Sequence, residues 1–195
     1  MNFLSFNRQQ NFSVIKSFNE VKLDENYKPL VICDIDHTFI RCSHGLDHFR
    51  KIINYHANRL PNPVTIGLDL DKEVVDLMNI AYNIGFVKQT DPDGFNNMLQ
   101  KIEQLGGKLI FLTARGIISH QKTVDDLKRA GFEHPEKFDI HYTNNEMTKG
   151  EYLKKTNLTD GYEHISFIDD YPSFIESVQH HFPDIRCYLF HYDLV

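Results

Sequence analysis

Short apolar runs alternate with helical patterns along most of the chain, and this alternation is typical of a parallel α/β sheet. Several of the runs are apolar at consecutive positions, which suits strands that helices cover on both faces. Five segments are predicted as strands: 30–33, 108–112, 138–142, 165–168 and 185–190. The pattern therefore predicts a three-layer, Rossmann-like α/β fold with a central five-stranded parallel sheet.

Four segments between and after these strands have the spacing of amphipathic helices. The clearest places Phe95, Met98 and Ile102 on one face, and Gly106 follows as a stop signal. The others are segments 124–130, 150–155 and 172–180. Right-handed crossovers should place these helices on both faces of the sheet.

Two parts of the chain do not follow this alternation of strands and helices. Residues 39–91 form an insertion between the first and second core strands, in which 46–60 and 72–84 have helical patterns. Residues 12–21 are compatible with a helix packed on the sheet. We therefore expect an N-terminal extension at residues 1–28, packed on the core, and a core domain at residues 29–195. Within that core domain, residues 39–91 would form a small cap or flap.

Composition narrows the class of protein. The chain has 195 residues, of which 41% are hydrophobic and 25% are charged, as in ordinary globular domains. The net charge is −6 and no basic run occurs, so we expect no nucleic-acid partner. The apolar runs are far shorter than a membrane span of ~18 residues, and the start does not resemble a signal peptide. We expect an intracellular, cytoplasmic protein without a membrane partner.

The three cysteines do not form a disulfide or zinc pattern. Cys33, Cys42 and Cys187 are scattered, and none belongs to a CxxC pair. Cys33 and Cys187 lie in apolar runs, which predicts buried thiols in a reducing compartment.

Two carboxylates follow the first predicted strand, in the segment Asp34-Ile35-Asp36-His37-Thr38. Open α/β sheets bind ligands at the carboxyl ends of their strands. Two carboxylates separated by one residue can have different roles in one reaction, since one can attack phosphorus while the other donates and later accepts a proton. A solvated acidic turn is the alternative that this segment by itself leaves open.

Four further polar residues follow or precede core elements. Thr113, at the end of the second strand, could bind a phosphoryl oxygen or cap a helix. Lys149 precedes a helix, where the dipole disfavours a cation, so it is either a phosphate ligand or a solvated lysine. Asp169 and Asp170 follow the fourth strand, and a bound cation would explain why two adjacent carboxylates are kept there.

The four motifs together resemble those of the haloacid dehalogenase-like (HAD) phosphohydrolases over residues 30–190, apart from the insertion. The motifs are DxDxT, an apolar run ending in TAR, a lysine before a helix, and DD after the fourth strand. The resemblance implies the strand order 3-2-1-4-5. It also implies an Mg²⁺-dependent phosphatase that forms an aspartyl-phosphate on Asp34. We expect a small phosphorylated molecule as its substrate, and a phosphorylated macromolecule stays as the alternative, because a small cap leaves the cleft open.

Residue roles follow from the same resemblance. Asp36 is implied to be the general acid and base, and Thr113 and Lys149 to bind the phosphate. Mg²⁺ is implied to be held by Asp34, the backbone carbonyl of Asp36 and the acidic pair. Within that pair, Asp170 is favoured over Asp169 as the direct ligand.

The acidic residue at position 36 also distinguishes branches of the family. Dehalogenases of the superfamily lack an acid there, so Asp36 favours phosphate ester hydrolysis or, less often, phosphoryl transfer. A phosphoryl transferase or phosphomutase and a non-catalytic module that binds phospho-ligands remain as alternatives. His37 departs from the glycine that is commoner in the family, and the resemblance assigns it no role.

Overall fold

The computed structural model describes residues 12–42 and 87–191. These residues form eight strands: β1 (Phe12–Ile15), β2 (Pro29–Cys33), β3 (Ile40–Cys42), β4 (Val87–Gln89), β5 (Lys108–Thr113), β6 (Asp139–Tyr142), β7 (His164–Asp169) and β8 (Arg186–Phe190). Six of them make a parallel sheet in the order β1-β8-β7-β2-β5-β6, and β3 and β4 form a separate antiparallel pair. Within the described ranges, no helix is long and apolar enough to cross a membrane.

The five predicted strands are all present in the predicted order. In the sheet, the five core strands lie in the order β6-β5-β2-β7-β8. When these five strands are numbered along the chain, this order is 3-2-1-4-5. Strand β2 lies between β5 and β7 and pairs with both in parallel. Its four apolar residues, Leu30 to Cys33, are at most 1% exposed. Consecutive burial of this kind is the expected result of helices on both faces.

A sixth strand is present where the sequence suggested a helix over residues 12–21. Strand β1 pairs in parallel with β8, with Phe12 opposite Cys187 and Ile15 opposite Phe190. A 3₁₀ turn (Phe18–Glu20) follows it. The helix prediction is therefore wrong, and so is the count of five strands. The open edge of β8 supplies backbone partners to this short segment, and such tertiary pairing overrides a local pattern.

Within residues 12–42 and 87–191, four helices cover the sheet: α1 (Pro92–Gln104), α2 (His120–Arg129), α3 (Lys149–Thr156) and α4 (Pro172–His181). They confirm the four helical segments, and two further 3₁₀ turns lie at Ile117–Ser119 and Pro135–Lys137. Residues of α1 and α2 join one hydrophobic cluster and residues of α3 and α4 join another. Cys33 and Cys187 are buried free thiols, as predicted.

Alternate residues of β2 belong to the two clusters. Val31 and Cys33 pack in the cluster of α1 and α2, whereas Leu30 and Ile32 pack in that of α3 and α4. The fold is therefore a three-layer α/β sandwich, as predicted.

The antiparallel pair β3–β4 lies at the two ends of the predicted insertion. Cys42 is opposite Val87 in the register, and the amide of Thr90 donates to the carbonyl of Phe39 (3.0 Å). The helices that the sequence predicts at 46–60 and 72–84 lie outside the described residues.

Candidate active site

The central strands bring their carboxyl ends, and the acidic motifs that follow them, to one edge of the sheet. Asp34 follows β2 directly, and its amide donates to the carbonyl of Ile168 in β7 (2.9 Å). Asp169 is the last residue of β7, and Thr113 is the last residue of β5 on the other side of β2. Parallel pairing of the three strands therefore places these side chains around the end of β2.

Helix α3 places Lys149 into this edge. Thr148 caps the helix, and Glu151 completes a capping box, so Lys149 is the first helical residue. Gly150 follows, and a Cβ there would overlap the backbone carbonyl of Ser177 in α4. This close approach of α3 to α4 accompanies complete burial of the Lys149 side chain. The alternative of a solvated lysine is thereby excluded.

Lys149 bridges two carboxylates. Its Nζ lies 2.5 Å from Oδ1 of Asp34 and 2.6 Å from Oδ2 of Asp169. Burial lowers the pKa of Lys149, but the charges of Asp169 and Asp34 outweigh it and raise that pKa overall. Lys149 is therefore a charged ammonium at neutral pH.

The acidic groups outnumber this buried cation. Oxygens of Asp34, Asp169 and Asp170 lie within 4.8 Å of one another. Burial raises the pKa of Asp34 to about 7, with Lys149 opposing the shift and Asp169 adding to it. Burial and the charge of Asp34 raise the pKa of Asp170 to about 6. Three close carboxylates beside one ammonium leave a net negative site, which favours a further cation.

The donor set fits a hard divalent cation, because it consists of carboxylate oxygens. Both oxygens of Asp169 already accept hydrogen bonds, one from Lys149 (2.6 Å) and one from the amide of Tyr171 (2.8 Å). Asp170 accepts one long hydrogen bond from the hydroxyl of Thr38 (3.4 Å). Asp170 and the second oxygen of Asp34 are therefore better placed as metal ligands than Asp169.

The carboxylate of Asp36 lies apart from this group. It accepts two hydrogen bonds from Arg115, from Nε to Oδ2 (2.8 Å) and from Nη2 to Oδ1 (2.7 Å). The Arg115 amide also donates to the hydroxyl of Thr113 (3.2 Å). The structure thus brings Asp34, Lys149 and the acidic pair into one cluster, and it ties Asp36 and Thr113 to Arg115.

From the sequence, Arg115 of the TAR motif is expected to bind either the cleft carboxylates or a substrate, and the structure shows it on the carboxylate of Asp36. Asp126, which accepts a hydrogen bond from Arg115 Nη1 (3.1 Å), was missed from the sequence. One signal was available for Asp126, because it falls on the same face of α2 as the apolar Leu127 and the buried Thr123. A carboxylate at such a position needs a buried partner. The position of Asp126 on the helix does not identify the cation that pairs with it.

His37 adopts a left-handed backbone conformation, with φ of 65°. Its amide donates to the carbonyl of Ile40 (2.7 Å) and so closes the turn that follows Asp36. Glycine adopts this conformation at the lowest cost. That requirement accounts for the glycine that is commoner at this position in the family that the motifs resemble.

Comparison with known proteins supports the fold. No curated protein matches the chain significantly. A protein of Thermotoga maritima assigned as a beta-phosphoglucomutase shares 17% identity, with 86% of this chain and 87% of that chain covered and a TM-score of 0.54. A hydrolase from Streptococcus pneumoniae TIGR4 shares 14% identity over 85% of this chain and 94% of that chain, with a TM-score of 0.48. A HAD-superfamily hydrolase from Ehrlichia chaffeensis shares 13% identity, covering 89% and 86%, with a TM-score of 0.44.

The fold of this chain is HAD-like. The strand order that the motifs implied is present, and the likeness to the Thermotoga maritima structure extends over most of both chains. A family model also matches residues 10–144, which are more than half of the sequence. The chain therefore belongs to the family described as "Protein of unknown function (DUF2608)".

Proposed function

We propose that this chain is an Mg²⁺-dependent phosphate monoester hydrolase that acts through an aspartyl-phosphate on Asp34. The observation that carries the proposal is the buried contact of Asp34 with Lys149 (2.5 Å), beside the carboxylates of Asp169 and Asp170. An anionic carboxylate attacks an anionic phosphate only where cations offset both charges. Lys149 is one such cation, and the donor set fits a second.

The two oxygens of Asp34 have different surroundings. Oδ1 accepts the hydrogen bond from Lys149, which orients the carboxylate. The Asp34 carboxylate attacks phosphorus, with formation of an acyl phosphate and cleavage of the bond between phosphorus and the ester oxygen. The leaving oxygen takes a proton from Asp36. Water then attacks the acyl phosphate, gives its proton to Asp36 and releases phosphate and free Asp34.

The contact with Arg115 limits how Asp36 can transfer a proton to the leaving group. A guanidinium only donates hydrogen bonds, and it occupies both oxygens of Asp36 in the structure. The oxygen that carries the proton has to turn away from Arg115 before the proton reaches the leaving group. After it has given up this proton, Asp36 is a carboxylate and can accept the proton of the attacking water in the second half of the reaction.

Asp34, Asp170 and the backbone carbonyl of Asp36 would hold Mg²⁺. Asp169 would act mainly through Lys149, since both of its oxygens are engaged. When bound, the ion would offset the negative charge of the phosphoryl group. Thr113 is expected to bind a phosphoryl oxygen, because it lies at the end of the strand next to that of Asp34.

Asp34→Asn tests the proposal, because the change keeps the shape of the side chain and removes its charge. We would incubate the purified protein with a panel of small phosphate esters and Mg²⁺ and measure inorganic phosphate. We expect wild-type turnover and a loss of several orders of magnitude in the variant. Asp160→Asn, at an exposed position, is the matched control and should retain full activity.

Each outcome has a defined meaning. Near-normal phosphate release by folded Asp34→Asn protein would refute the nucleophile. Formation of a new phosphate ester instead of free phosphate would identify a phosphoryl transferase or phosphomutase. Tight binding of an ester without any product would identify a non-catalytic module.

A further inference from the structure

Helix α2 buries a carboxylate on its apolar face. The side chain of Asp126 is 1% exposed and lies beside Thr123 and Leu127, which are both fully buried. A buried carboxylate is strongly destabilising unless it is paired. Two of its partners, Lys122 (3.3 Å) and Arg129 (3.4 Å), come from the same helix and are themselves 33% and 41% exposed.

The third partner of Asp126 comes from the catalytic edge of the sheet. Arg115 Nη1 donates to Asp126 Oδ2 (3.1 Å) and to the hydroxyl of Thr123 (3.2 Å). The Arg115 side chain is 13% exposed, so solvent screens this contact far less than the two helical pairs. Arg115 is therefore the most buried of these three partners of Asp126.

Arg115 spans the distance between Asp126 and Asp36. Its Nε and Nη2 bind the two oxygens of Asp36, while its Nη1 binds Asp126. The guanidinium is planar and rigid, so a contact that fixes Nη1 also fixes the edge that meets Asp36. The orientation of the Asp36 carboxylate is thus coupled to a residue on a different element of the fold.

The backbone of Arg115 is held independently of its side chain. Its amide donates to the Thr113 hydroxyl (3.2 Å), and its carbonyl accepts from the amide of Asn144 (3.2 Å). Loss of Asp126 would therefore leave the start of the Arg115 side chain in place and release its far end. This separation makes the contribution of Asp126 measurable.

We propose that Asp126 is a positioning residue that sets the orientation of the Asp36 carboxylate through the guanidinium of Arg115. Its consequence for turnover rests on the proposed function, whereas the coupling itself does not. The competing explanation is that Asp126 only stabilises α2 through Lys122 and Arg129. That explanation predicts a loss of stability without a change in Arg115 or Asp36.

The coupling is tested by NMR of the Arg115 guanidinium in the full chain, with Arg115→Lys used to assign its signals. We expect slow rotation of the guanidinium in the wild type and clearly faster rotation in Asp126→Ala. Asp126→Asn, which keeps a hydrogen-bond acceptor, should be intermediate and serves if the alanine variant does not fold. Lys122→Ala is the control, since it removes a partner of Asp126 that does not bind Asp36. Unchanged Arg115 rotation in a folded Asp126 variant would overturn the proposal.

The effect on catalysis is tested with an alkyl phosphate and an activated aryl phosphate. The alkyl ester depends more on a proton from Asp36, so misplacement of Asp36 should lower its kcat about 10–100-fold more than that of the aryl ester. Combining Asp126→Ala with Asp36→Ala should add no further change to this ratio. Equal losses for the two esters would overturn the positioning role. A wild type that turns over no ester would refute the proposed function, and the NMR measurement would still decide the coupling.

Discussion

Replacement of Lys149 by methionine should destabilise the metal-free protein strongly. Methionine has a similar length and keeps the buried volume filled, so the main change is the loss of one charge. Asp34 and Asp169 would then face each other across the site without the ammonium that now lies within 2.6 Å of both. Lys149 is fully buried, so water cannot take over its role without a rearrangement.

The magnitude follows from this burial. Removal of one partner from a buried ion pair costs about 3–5 kcal/mol, because an uncompensated charge remains inside. For a chain of this size, each kcal/mol shifts the melting temperature by roughly 2–4 °C. We therefore expect a decrease of roughly 6–20 °C in the presence of a chelator. The loss should shrink toward pH 5, because protonation removes the charges of Asp34 and Asp169.

Thermal denaturation followed by circular dichroism at pH 5 and pH 8 would measure this effect. Lys154→Met is the matched control, since Lys154 is an exposed residue of the same helix. Addition of Mg²⁺ should recover part of the lost stability of Lys149→Met, because a bound cation replaces part of the missing charge. An equal melting temperature for the two variants at pH 8 would refute the electrostatic reasoning.

Three further predictions concern the metal, pH and packing. Asp170→Ala should raise the Mg²⁺ concentration needed for half-maximal turnover or abolish turnover, and an unchanged metal titration would contradict its role as a ligand. Burial raises the pKa of Asp34 from 3.8 to about 7, so the folded state binds the extra proton between these values. The unfolding free energy of metal-free protein, taken relative to Asp34→Asn, should therefore fall as pH rises from about 4 to 7; a rise in denaturant titrations would contradict the shift. Gly150→Ala should cost about 1–3 kcal/mol, because the new Cβ overlaps the Ser177 carbonyl, whereas Gly116→Ala meets only ordinary contacts and should be near neutral in thermal melts.

The clustered part of the site was predictable because a parallel sheet aligns strand ends. Asp34 and Asp169 follow strands with consecutive apolar residues, and the crossover rule places their ends side by side. Lys149 was predictable as a member of the site only through its motif. Its bridge between two carboxylates depends on the close approach of α3 to α4, which sequence spacing does not express.

Other features of the structure could not be predicted from the local sequence pattern. Strand β1 is stabilised by β8, which is far from it along the sequence, since Phe12 pairs with Cys187. Nothing within residues 12–21 indicates that partner. The pair of Arg115 with Asp36 joins side chains 79 positions apart. Strand order predicts that the two loops are neighbours, but only the structure shows the direction of each side chain.

The antiparallel pair β3–β4 has a consequence for how this protein family can diversify. It holds positions 42 and 87 opposite each other, so the intervening segment begins and ends at one point. Closing a connection costs only about 0.6 kcal/mol more for each doubling of its length. The segment can therefore be lengthened, shortened or exchanged for another at little cost to the sheet. Selection could in this way exchange the segment while the strands of the core sheet are inherited intact.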